Sequence, residues 1–91
     1  MIITTTPTVE GRPVKDYLGI VSGEVVVDEP WGSTLSAHGD SLLVARHRAE
    51  LEMVQRAEAL GATAVVGIAV VFEIYQNRRF LVVTGTAVVI P

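Results

Sequence analysis

The residues able to do chemistry in this chain of 91 residues are few and thinly spread. Cysteine is absent, which excludes disulfides, thiolate metal sites, iron–sulfur clusters and cysteine nucleophiles together. Imidazole and carboxylate remain as metal ligands. His47-Arg48-Ala49-Glu50 places a histidine and a carboxylate three residues apart, a spacing that a helix brings to one face. His38 and Asp40 form a second, looser pair just upstream. These four side chains are the candidate metal ligands, and the cofactor they would accept is a divalent ion. Zinc, nickel, manganese or magnesium suits them better than a soft heavy metal. Either pair alone leaves a site to be completed by another subunit. A solvated helix face carries the same spacing without any ligand.

Acid–base catalysis needs two titratable groups in a shared pocket. The carboxylates here are scattered over a helical segment and turns, apart from Glu24 and Glu73, which fall inside apolar runs. Each of those two must point to solvent at a sheet edge, meet an arginine such as Arg78 or Arg79, or line a channel between subunits. No phosphate-binding glycine loop, dinucleotide fingerprint, nucleophile elbow or His-Glu-x-x-His motif occurs. No catalytic residue is assigned, and the expectation is a protein that is not an enzyme, the remaining alternative being an enzyme whose site lies between subunits.

The elements that would position these residues follow from periodicity. Leu42, Ala45, Ala49, Met53, Ala57 and Leu60 recur at steps of three and four, with charged residues between them. This predicts one amphipathic helix over residues 40–60, about 30 Å long. Asp40 or Ser41 is its expected N-cap, and Gly61 its expected left-handed terminator. After Gly61 the β-branched runs Val65–Ile74 and Phe80–Ile90, separated by Gln76-Asn77-Arg78-Arg79, predict a hairpin of two long strands. Ile2–Thr6 and Tyr17–Val27 predict a short and a long strand before the helix. The expected fold is α+β, a ββαββ subunit with a curved, mainly antiparallel sheet. Gly19, Gly23, Gly67 and Gly85 fall within those strands, where glycine marks a bulge, a bend or a close backbone approach.

Both faces of the hairpin strands are apolar: Val66, Ile68, Val70, Phe72 and Ile74 against Val65, Ala69 and Val71 on the first, with a similar pattern on the second. One helix covers one face. In so small a chain the other face is expected to find its cover in further copies, a homo-oligomer, unless the N-terminal segment wraps over it. Glutamate at Val71 or Val83 is therefore expected to disturb assembly or folding. Trp31, in the connection before the helix, is an anchor at a subunit interface, a stacking surface for a ligand, or a cap on the chain's own core.

Composition fits one domain over residues 1–91: 49% hydrophobic, 19% charged, net charge -3. The acidic balance and the two short basic clusters, Arg46-His47-Arg48 and Arg78-Arg79, argue against a nucleic-acid partner. No run reaches the roughly 18 apolar residues of a membrane span and no secretory pattern opens the chain, so the expectation is a cytoplasmic protein with no membrane partner.

Four blocks carry a resemblance across nearly the whole chain: Thr4-Thr5-Thr6-Pro7-Thr8-Val9-Glu10-Gly11, Tyr17-Leu18-Gly19-Ile20-Val21-Ser22-Gly23-Glu24, Ala59-Leu60-Gly61-Ala62 with Ala64-Val65-Val66-Gly67-Ile68, and Thr84-Gly85-Thr86-Ala87-Val88. In this order and spacing they resemble the YbjQ family of small bacterial proteins. The resemblance implies an α+β subunit assembling as a ring, most often a pentamer, in a family that carries a heavy-metal-binding label with no catalytic residues behind it. The chain departs from the family in the connection Asp28–Gly39, where members usually have a longer stretch resembling Gly-Gly-Arg-Ser.

Overall fold

The computed structural model describes residues 1–27 and 35–91, without the side chains of 35–41. Trp31 and most of the connection before the helix lie outside the described residues. The element order is β1 (Ile2–Ile3), β2 (Asp16–Val26), α1 (Leu35–Ala59), β3 (Ala64–Tyr75) and β4 (Arg78–Val89). The four strands form one mixed sheet ordered β1-β3-β4-β2. β4 runs antiparallel to both of its neighbours, and β1 is parallel to β3. The expected ββαββ order and mainly antiparallel sheet are present.

The helix starts earlier than its hydrophobic period suggests, at Leu35 rather than at 40. Asp40 and Ser41 therefore sit inside it and cannot be its N-cap. Gly39 looks like a break in sequence, yet a single helical glycine costs only about 1 kcal/mol against alanine, little enough for a helix of 25 residues to absorb. The other end is as expected. Gly61 has φ 87°, Ala62 N–H donates to the Ala57 carbonyl (3.1 Å) and Gly61 N–H to that of Glu58 (2.9 Å). These paired bonds satisfy the last carbonyls of the helix and require a left-handed residue between them. Leu60 is spent on this turn and is exposed rather than in the core. Gly61→Val is expected to lower stability by about 1–2 kcal/mol, with Gly61→Asn milder, because β-branched residues tolerate positive φ poorly. Equal melting temperatures for the three proteins would contradict this.

The β3–β4 turn is tighter than the four residues expected. Gln76 and Asn77 alone form it, both at positive φ (50° and 62°), the two-residue geometry whose twist suits a hairpin. Two strand glycines make bulges: the register shifts between Tyr17 and Gly19 in β2 and between Val66 and Ala69 in β3. Gly19 and Gly67 have positive φ there, and such bulges bend the strand.

The main core lies between α1 and the sheet, where Ala49, Met53 and Ala57 meet Val21, Val65, Val83 and Ala87. Full burial of Met53 alone stabilises by about 1.5–3 kcal/mol. Alanines on this stripe let the helix approach β2 so closely that a Cβ on Gly23 would lie 1.8 Å from the Ala49 carbonyl oxygen. α1 rests on β2 and β4 and hardly touches β3. On the far side of the sheet the N-terminal arm places Ile2, Val9 and Val14 over Ala64, Val66, Val88 and Ile90. That cover ends part-way along. Thr4 to Thr6 follow β3 through Gly67 N–H to the Thr6 carbonyl (2.8 Å) and Ile68 N–H to that of Thr4 (3.1 Å). Beyond Ile68 the hairpin has neither the arm on its far side nor, at β3, the helix on its near side.

Candidate functional site

His47 stands on the middle of α1 about half a turn from the buried stripe of Ala45 and Ala49, whereas Glu50 flanks that stripe, next to Ala49 in the chain. His47 is exposed and Glu50 half-buried. Glu50 is engaged by Arg46, whose Nε lies 3.6 Å from Oε1 in an i, i+4 pair. Its nearest electrostatic partner is thus a guanidinium on its own helix. His38 and Asp40 fall in the first turns of α1, and their side chains lie outside the described residues. Among the described residues no three histidines, aspartates or glutamates come together as a metal centre.

Glu24 and Glu73 share the far face of the sheet. Glu24 is opposite Val82 and Glu73 opposite Phe80, so the two residues flank β4 from either side, two strand spacings across and two residues along, about 12 Å apart in the backbone. With Tyr75, Phe80 and Val82 they line an open depression of about 270 Å³. Both glutamates are exposed and both sit on outer strands of the distal half of the sheet.

The dominant surface feature is apolar. Val70, Phe72 and Ile74 on the helix side of β3, and Val71 and Tyr75 on its far side, are all exposed, from 42% at Val71 to 76% at Ile74. On the helix side a groove of about 300 Å³ runs between Leu42, Leu43 and Arg46 of α1 and Val70, Phe72 and Leu81 of the hairpin. β2, at the other end of the sheet, exposes Tyr17, Ile20 and Val26. One polar contact marks its edge: Arg56 Nη1 donates to the Ser22 carbonyl (2.8 Å) while Nη2 meets Glu52 Oε1 (2.7 Å).

Periodicity identified the apolar strand faces, but neither the open edge of β3 nor the arginine at the edge of β2. An edge is a property of strand order, which alternation along one strand does not encode. The only signal for the arginine is its i, i+4 spacing from Glu52, common on any solvated helix.

The family model described as "Putative heavy-metal-binding", YbjQ_1, matches residues 1–91. A UPF0145 protein of Haemophilus ducreyi is 38% identical over 104 aligned positions, covering 99% of each chain. One from Halalkalibacterium halodurans is 40% identical, covering 97% of this chain and 94% of its own. Both alignments are longer than the 91 residues here, so these relatives carry segments that this chain lacks. A crystal structure of a protein of unknown function from Pediococcus pentosaceus, of the DUF74 family, superposes with a TM-score of 0.57 at 22% identity over 99% of this chain and 95% of that one. That likeness is one of fold.

Proposed function

We propose that this chain, which belongs to the YbjQ family, acts as a self-assembling binding or scaffold module rather than as an enzyme. The observation that carries this reading is the distal half of β3, which exposes large apolar side chains on both faces at once. Monomeric proteins seldom leave such a surface open, and a strand bare on two sides, with one edge unpaired among the described residues, is a template for association. The partner is further copies of the chain, closing into a ring; the family resemblance favours five. Its place of action is the cytoplasm, and no helix among the described residues is long and apolar enough to cross a membrane.

Light scattering of tag-free protein at micromolar concentration tests this directly. A multiple of the 9.7 kDa subunit mass is expected, and a monomer mass would reject the reading. A native mass spectrum of the same sample reports the subunit number and any retained ion or small molecule together.

The family description favours a second reading, a divalent-metal module using His47 and Glu50, with His38 and Asp40. Against it stands Arg46, whose guanidinium lies 3.6 Å from one oxygen of Glu50 and competes with a cation for that carboxylate. Calorimetric titration of zinc or nickel into tag-free protein is expected to give weak, non-stoichiometric heat that His47→Ala leaves unchanged. A tight site, one per subunit, abolished by that substitution with the oligomer intact, would place the metal reading first.

A further inference from the structure

Resting on the reading that copies of this chain assemble, we infer that they join head to tail through their sheets. β3 of one copy pairs in parallel with β2 of the next, and the incoming α1 lies over the bare helix side of β3.

Unpaired main-chain groups point to this joint first. β1 and the arm through Thr6 occupy the outer edge of β3 only as far as Ile68. From Ala69 to Tyr75 that edge has no partner among the described residues. β2 ends the sheet on the other side, with β4 as its only neighbour among the described residues. What satisfies a row of strand N–H and C=O groups is another strand edge, and one copy offers these two at opposite ends of one sheet. Each is antiparallel to β4, so β2 and β3 run the same way. Copies related by rotation about an axis along the strands keep that sense, which makes the joint parallel.

The offset of the helix decides between this joint and a two-fold one. Because α1 sits over β2 and β4 and hardly over β3, Val70, Phe72 and Ile74 have a helix to one side of them and none above. A neighbour arriving through its β2 brings its own α1 alongside them and closes the groove. A two-fold pairing of β3 with a second β3 would set two bare strands side by side between two distant helices and leave both uncovered. Arg56 bears on the same choice. Its bond to the Ser22 carbonyl guards the β2 edge at one point, but the side chain is 53% exposed and free to yield to a main-chain donor. A joint of this kind uses different patches on its two sides and repeats until it closes.

The chain has no cysteine, so introduced thiols report the joint without background. Ile20, Glu24 and Val26 on β2 share the far face with Val71 on β3, through their pairings with Thr86, Val82, Phe80 and again Val82 on β4. All four are exposed, which makes cysteine tolerable. Val71→Cys is combined in turn with Ile20→Cys, Glu24→Cys and Val26→Cys, and each protein is oxidised and run on a non-reducing gel. Within one copy the two strands are about 10 Å apart, too far for a disulfide, whereas adjacent strands at about 5 Å can be bridged. At least one double variant is expected to give a ladder of covalent multimers while every single variant stays monomeric on the gel. Covalent dimers from Val71→Cys alone would mean a two-fold joint and overturn the inference. So would the absence of any ladder while light scattering still reports an oligomer. A monomer mass for the unsubstituted protein would instead remove the assembly reading itself, and this inference with it.

Discussion

Replacing Gly23 by alanine is expected to destabilise the subunit by about 3 kcal/mol or more, measured by guanidinium unfolding. The added Cβ would stand 1.8 Å from the Ala49 carbonyl oxygen, 2.8 Å from its carbon and 2.9 Å from the Met53 nitrogen. All three are helix backbone, which no side-chain rotation can move aside. Relief requires α1 to lift from β2, and that uncovers the interface at which Ala49, Met53 and Ala57 are wholly buried. Overpacking of a core typically costs about 1–3 kcal/mol, and more where backbone must shift. Against a total of about 5–15 kcal/mol for a domain, one methyl group is then a large fraction of stability. Gly85→Ala is the instructive comparison, because its Cβ would meet a side-chain atom first, Val65 Cγ1 at 2.5 Å. A smaller loss is expected there. If Gly23→Ala unfolds within about 0.5 kcal/mol of the unsubstituted protein, the helix does not lie where it is described.

That close approach shows where sequence reading stops. A glycine inside a strand signals a bulge, a bend or a near backbone, and all three signals look alike in the chain. The structure separates them: Gly19 and Gly67 are bulges with positive φ, whereas Gly23 is open space for a helix. What selects the last is the alanine stripe of α1, a relation between residues some 25 positions apart that no local pattern carries. The helix terminator at Gly61 could be read in advance because its cause is local: a left-handed residue follows the last periodic position. The helix start could not. A hydrophobic period begins only where the helix meets the core, and α1 runs from Leu35, seven residues before Leu42, the first of the periodic positions.

The candidate site divides along the same line. Spacing on one element identifies His47 and Glu50, and α1 does carry both, His47 exposed and Glu50 half-buried beside the core stripe. Yet their use depends on what faces them, and what faces Glu50 is Arg46. The two-sided greasiness of the hairpin was equally plain in the sequence. Which part of it the chain covers for itself was not, because that depends on how far the N-terminal arm reaches and on the lateral offset of α1. Both cease to cover β3 beyond the Gly67 bulge, and from there the strand is exposed.

This division separates two substitutions that look equivalent in the sequence, Val83→Glu and Val71→Glu. Val83 is wholly buried among Met53, Val65 and Ala87 beneath α1. A carboxylate there loses its water and gains no partner, a loss of about 4 kcal/mol or more once the lost packing is included. Val83→Glu is expected to abolish cooperative unfolding and to yield little folded protein. Val71 is 42% exposed on the outer strand, opposite Val82 and two residues before Glu73 on the same face. In an isolated subunit its replacement stays close to the usual surface range of about 0.5 kcal/mol. At a subunit joint the same carboxylate would be taken out of water beside a second one, that of Glu73, and two like charges so close repel. Val71→Glu is therefore expected to keep the circular dichroism of the folded subunit while its mass by light scattering falls to that of a monomer. Its melting temperature should also lose the dependence on protein concentration that assembly confers. An oligomer of unchanged mass from Val71→Glu would show that the exposed half of β3 takes no part in assembly, whatever else holds the copies together.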